Sequence, residues 1–177
     1  MKNEFSPQQK ATVGADFLTR QMQKGQNSIE LQLWDTVGSE KFNSLSANFY
    51  RNSETCALVF DLTNSSSFAN VESWRKTFLE SLNPPEGDKY PFILLGNKND
   101  LKDAIQVQDD AIQQYCSQHN NMPYFSVSAK TGENIEESFS KVGDLALERN
   151  VKNDEIALPQ IQLIKGNEKK KKKKCCK

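Results

Sequence analysis

"PFILLGNKND", Pro91 to Asp100, sets five apolar or small residues side by side and then turns polar at Asn97-Lys98-Asn99-Asp100. An unbroken apolar run of this length, ended by a turn, is the mark of a strand buried on both faces, as in a parallel sheet. "TCALVFDL" (55–62) and "PYFSVS" (123–128) have the same character. Between them lie stretches with helical spacing. Phe68, Val71, Trp74 or Arg75, Phe78 and Leu79 recur every three to four residues after serines 65–67, which read as the cap, and Asn83-Pro84-Pro85 ends that helix. Ala111, Ile112, Tyr115 and Cys116 make a second stripe, and Ile135, Phe139, Val142, Leu145 and Ala146 a third. Strand alternating with helix implies an α/β fold with a doubly wound, mostly parallel sheet, whose ligands sit at the carboxyl ends of the strands.

The beginning of the chain differs. "ADFLTRQMQ" and "NSIELQLWD" flank Lys24-Gly25-Gln26-Asn27 and predict an antiparallel hairpin. Alternation puts Ile29, Leu31 and Leu33 on one face and Glu30, Gln32 and Trp34 on the other. Trp34 is expected to face outward, with Phe17 beside it. Two readings stand for that pair, a capped edge of the core and an aromatic docking patch.

With 177 residues, one domain (1–150) and a tail (151–177) are expected. The formal net charge is zero, but residues 165–177 hold eight lysines against one glutamate, so the body is acidic. Such a body argues against a nucleic-acid-binding core, while the basic tail calls for an anionic partner, membrane or nucleic acid. Cys56 and Cys116 lie in apolar surroundings and read as buried thiols, and Cys175 and Cys176 stand together at the end. Residues 1–10 lack an apolar stretch and no segment reaches transmembrane length, so a cytosolic chain is expected.

The strand-end loops carry the chemistry. Asn97-Lys98-Asn99-Asp100 and Ser128-Ala129-Lys130 follow buried strands and precede helices. An aspartate there can accept from both N1–H and the N2 amine of guanine, and the Ala129 N–H can donate to O6. The alkyl stem of Lys98 can lie over the base, with Asn97 tying the loops together. Adenine presents the reverse pattern. N-K-x-D alone is weak; one strand–helix unit ahead of S-A-K, it is specific. A flavodoxin-like redox protein would share the architecture but gives no reason for this pair.

With these motifs in place, the chain resembles the Ras-like small GTPases, in the Rab branch and nearest its late-endosomal members, from Phe5 to the C-terminus. "KATVGADF" (10–17) resembles the first switch segment, "WDTVGSEKFNSL" (34–45) the second, and "FYRNSETCALVFDLT" (49–63) the strand after it. The resemblance implies a GTP/GDP switch with Mg2+. Thr12 would ligate the metal and sense the γ-phosphate, Asp35 would hold the metal through water, and the Gly38 N–H would bind the γ-phosphate. Guanine would be held by Asn97, Lys98, Asp100, Ser128, Ala129 and Lys130. Phe17, Trp34 and Phe49 would read effectors. The implied partners are effectors, an exchange factor, a GTPase-activating protein, a prenylation escort and a GDP-dissociation inhibitor. The implied location is the cytoplasmic face of endosomal, lysosomal or vacuolar membranes, cycling with cytosol, without nucleic acid.

Two departures stand out. No glycine is followed by lysine, so G-x-x-x-x-G-K-[ST], the phosphate loop, does not occur. The family's first strand, that loop and the first helix, on the order of 30 residues, would precede this sequence. The strand would lie between those ending at Asp35 and Asp61, so two apolar edges and poor folding alone are expected. Four lost phosphate bonds correspond to about 6 kcal/mol, near a 10^4-fold loss of affinity. A piece of a longer chain is the expectation, and a nucleotide-independent pseudo-GTPase adaptor the alternative. Second, the water-orienting glutamine of the family is Ser39 here, too short for that task, so slow intrinsic hydrolysis is expected. In the tail, Lys174 occupies the position a C-a-a-X box needs for cysteine. Cys175 and Cys176 instead resemble a doubly prenylated Rab ending, reinforced by the lysines beside an anionic leaflet, although Lys177 departs from the common pattern.

Overall fold

The computed structural model describes residues 5–6, 11–12, 14–25, 27–38, 49–50 and 52–157. Ser39, Cys175 and Cys176 lie outside them. The hairpin forms as expected: β1 (Ala15–Lys24) pairs antiparallel with β2 (Asn27–Thr36), placing Phe17 opposite Trp34. Gly25 closes it with φ +59°, a left-handed conformation that glycine adopts without a Cβ clash. The second sheet holds β3 (Cys56–Asp61), β4 (Phe92–Asn97) and β5 (Tyr124–Ser126), all parallel and in that order.

Two helices connect β3 to β4, where the apolar spacing predicted one. The turn breaks at Asn70, giving α1 (Ser65–Ala69) and α2 (Val71–Leu82). The cap is Asn64 rather than the serines, its side chain accepting from the N–H groups of Ser66 and Ser67. Asn83 ends α2 in a left-handed conformation, its N–H bonded to Leu79 O at 2.7 Å. Helix α3 (Asp109–Gln118) joins β4 to β5, and α4 (Ile135–Ala157) follows β5. Among the described residues no helix is long and apolar enough to cross a membrane.

Strand alternation divides the core. Leu58, Phe60, Phe92 and Leu94 face α2 and α3, meeting Val71, Phe78, Ile112 and Cys116. Ile93, Leu95 and Val127 face the other way, meeting Val142 of α4 and Leu31 of the hairpin. Ile93, Leu94 and Ile112 are fully buried, each worth about 1.5–3 kcal/mol against exposure. Cys116 is buried as expected, and so is the thiol of Cys56, whose pKa burial pushes up to about 12 although the residue as a whole is half-buried.

The edge lies where the missing strand was expected. Among the described residues no strand bridges β2 and β3, and the two sheets are separate. Val59, on the same face as Leu95 by register, is 60% exposed. The hairpin is held instead by α4: Lys24 Nζ bonds Ser140 Oγ at 2.6 Å and Asp144 Oδ1 at 2.8 Å, and Arg20 pairs with Glu136.

Candidate functional site

The paired register of β4 and β5 ends at Gly96 and Ser126, and beyond it the two loops stay joined by main-chain bonds, Val127 N to Gly96 O at 2.8 Å and Asn99 N to Val127 O at 3.0 Å, and by side chains. At Gly96 the chain passes so close to its neighbours that a Cβ would stand 2.9 Å from Tyr124 Oη and 3.1 Å from Phe60 and Leu62. Asn97 Oδ1 accepts from Lys98 N at 2.8 Å and from Ala129 N at 3.0 Å, the tie between loops that the sequence predicted. Asp100 Oδ1 accepts from Ser128 Oγ at 2.7 Å, and Lys130 Nζ lies 3.8 Å from Oδ2. Ser128 Oγ in turn accepts from the N–H groups of Lys130 and Thr131 at 3.2 and 3.1 Å, fixing the loop in a turn. The bond from Ser128, opposed by desolvation, holds the Asp100 carboxyl below its ordinary range, so it is an ionised acceptor at neutral pH.

Two details depart from the simple picture. The Ala129 N–H, expected to serve a purine O6, already has a partner in Asn97, so a base must share or displace that bond. Lys98 takes a left-handed φ of 66° and reaches sideways, its Nζ 2.6 Å from Asp61 Oδ2. Asp61, at the end of β3, also accepts from the N–H and Oγ1 of Thr63 at 2.8 and 2.7 Å. Desolvation raises its pKa, but the bonds from Lys98 and Thr63 outweigh that and leave its carboxyl below the usual range. Asp61 was not among the residues singled out from the sequence. Its place at the carboxyl end of a parallel strand, like the loop that carries Asp100, is the signal that would have identified it.

The other group of expected residues also comes together. Thr12 Oγ1 donates to Asp35 Oδ2 at 2.8 Å across 23 residues of chain. Gly38 is exposed just past the end of β2, and Val37 N donates to Gly14 O at 3.0 Å, joining the two open ends of the hairpin. Among the described residues no three His, Cys, Asp or Glu side chains form a metal cluster. Thr12 and Asp35 carry hard oxygen atoms of the kind Mg2+ takes, and two such residues would fill only part of a coordination shell.

On the outer face of the hairpin, Phe17 and Trp34 are 43% and 49% exposed with ring centroids 4.7 Å apart, and Phe49 stacks on Trp34 at 5.4 Å. Three aromatic rings from three segments thus make one displayed cluster.

A profile described as the Ras family matches residues 1–148. Ras-related protein Rab-7b of Paramecium octaurelia is 41% identical over 175 residues, 97% of this chain and 84% of its own. Ras-related protein Rab7 of Drosophila melanogaster is 44% identical over 148 residues, 84% and 71% of the two chains. Ypt/Rab-type GTPase ypt7 of Schizosaccharomyces pombe is 43% identical over 158 residues, 89% and 77%. With these relatives and this strand-end geometry, the chain belongs to the Ras family of small GTPases, in the Rab branch close to Rab7.

Proposed function

We propose that this chain is a Rab-type GTP/GDP switch in traffic to the late endosome, lysosome or vacuole, with weak intrinsic hydrolysis. The observation that carries the reading is the joining of the 97–100 and 128–130 loops by two cross-bonds, Ala129 to Asn97 and Ser128 to Asp100. They present an ionised carboxylate beside a backbone donor, the complement of the guanine edge and not of adenine. The residues fit the base. For the phosphates and Mg2+ the fit is partial: Thr12, Asp35 and the Gly38 N–H would contribute, and the remaining groups belong to a phosphate loop that this sequence does not contain. When bound, the metal would neutralise phosphate charge. Ser39 at the water-orienting position makes unaided hydrolysis slow, so turnover would need a GTPase-activating protein.

Effectors would dock on Phe17, Trp34 and Phe49. An exchange factor would load the switch, and a prenylation escort and GDP-dissociation inhibitor would handle lipids on Cys175 and Cys176. The tail proposed for 151–177 begins inside α4, which continues to Ala157, and its lysines would meet the anionic cytoplasmic leaflet. The alternative, a nucleotide-independent adaptor, draws on the aromatic cluster alone. Calorimetric titration of the chain with GDP, GTP and ADP decides. The switch predicts binding of both guanine nucleotides and at least about 30-fold weaker ADP; equal affinities, or no binding of any, would refute it.

A further inference from the structure

Asn99 stands between Lys98 and Asp100 but turns inward, 1% exposed. Its N–H donates to Val127 O at 3.0 Å and its side-chain Nδ2 to Ser126 O at 3.2 Å. The same Ser126 carbonyl accepts from Asn134 Nδ2 at 2.7 Å, so both of its lone pairs are engaged. Because the atom facing Asn99 is a carbonyl oxygen, the amide nitrogen must point toward it and Oδ1 must point away. There Oδ1 is buried without a hydrogen-bond partner among the described residues.

A buried acceptor left unpaired weakens a fold, and an apolar side chain that fitted the slot would not carry that penalty. Packing therefore gives no reason for asparagine here. Its one distinctive act is to cross-tie the loops just where the β4–β5 ladder has ended at Gly96 and Ser126. Residues 97, 99 and 100 thereby bond across to residues 126–129. The Asn97–Ala129 bond lies at the surface, the Asp100–Ser128 bond ends on a fully buried serine, and the Asn99 bonds, like that serine, are out of water.

We propose that Asn99 is a positioning residue for purine discrimination. Resting on the guanine reading above, the inference is that its amide fixes the spacing between Asp100 and Ala129, so that the donors and the acceptor along guanine's edge are met at once. It touches no nucleotide itself.

The test is the GDP-to-ADP affinity ratio of the 177-residue chain and of Asn99→Leu and Asn99→Ala, with thermal melting alongside. Asn99→Leu removes the orphaned acceptor but brings larger methyls into a full slot, so it is expected to melt within a few degrees of the parent, while its ratio falls about tenfold, the equivalent of one misplaced hydrogen bond. Asn99→Ala, which leaves a small cavity, should melt lower and show the same fall. A merely structural role would weaken GDP and ADP by one common factor and leave the ratio within twofold of the parent in both variants, and that result overturns the inference. A parent that itself shows no preference for GDP overturns the proposed function and this inference with it; a discriminating parent with equally discriminating variants overturns this inference alone.

Discussion

Asn97→Ala removes a side-chain oxygen that joins the two base-reading loops. Two hydrogen bonds go with it, from Lys98 N at 2.8 Å and Ala129 N at 3.0 Å. Both donors sit in exposed loops and can turn to water, so the loss is the net worth of two ordinary bonds, about 2 kcal/mol. For a chain of this size that lowers Tm by about 4–8 °C. On the nucleotide two effects compete. The loops must be ordered when the base arrives, which costs up to the same 2 kcal/mol, while the Ala129 N–H no longer has to leave Asn97, which returns about 1 kcal/mol. The balance is a loss of up to about fivefold in GDP affinity. Asn97→Asp keeps an acceptor in the same place and should melt within about 2 °C of the parent. Differential scanning fluorimetry and calorimetry on the parent and both variants provide the readings. If Asn97→Ala melted within 1 °C of the parent and bound GDP within twofold, the loops would not be joined through Asn97 and the reasoning would fail.

Arg149 clamps the middle of α4 to the far end of the sheet, with its Nε 2.5 Å from Glu86 Oε1, its Nη1 2.7 Å from Glu54 Oε2, and its guanidinium 5.0 Å from the Tyr90 ring centroid. Arg149→Met leaves two half-buried carboxylates facing each other, so a loss of about 3 kcal/mol and 6–12 °C in Tm is expected; a drop under 2 °C would contradict it. Burial opposes the charge on Glu72 and Glu86, but Arg75 with Tyr115 and Arg149 respectively outweigh it, and both carboxyls titrate below their ordinary range in the folded chain. The folded state then binds these protons more weakly than the unfolded chain, so stability is full above about pH 5 and falls as pH drops through the carboxylate range. Tm should decline steadily from pH 5 to pH 3.5, with a shallower slope in Arg149→Met; a flat profile in the parent would contradict the pairing. Because Phe17 and Trp34 are nearly half exposed, the double variant Phe17→Ala, Trp34→Ala should lose only about 2 kcal/mol, or 4–8 °C. Outright unfolding would show that the rings cap the core, since two core aromatics together would cost about 6–10 kcal/mol.

Much of this was legible in the chain itself. Runs of apolar residues with no alternation, such as Phe92 to Leu95, give away a strand covered on both faces. The two-residue alternation from Ile29 to Trp34 gave away one covered on a single face, and therefore the outward Trp34. What escaped was set by local competition. The break at Asn70 cannot be seen in an apolar stripe that continues across it from Phe68 to Val71, because periodicity records which face is buried and not whether every backbone bond is made. The roles of Asp61 and Asn99 escaped for a different reason. Each acts through residues distant in sequence, Lys98 for one and Ser126 for the other, and only the parallel register of β3, β4 and β5 brings those together. The base-reading set, by contrast, lies in two short runs at strand ends, where residue type alone states the chemistry.

The central claim is that these two loops meet the edge of one purine together. Backbone amide shifts of the 15N-labelled chain, followed while GDP and then ADP are added, test it most directly. GDP should move the amides of Lys98, Asp100, Ala129 and Lys130 as one group with a single affinity, and ADP at the same concentration should leave them in place. Shifts confined to one loop, or the same shifts with both nucleotides, would contradict the account.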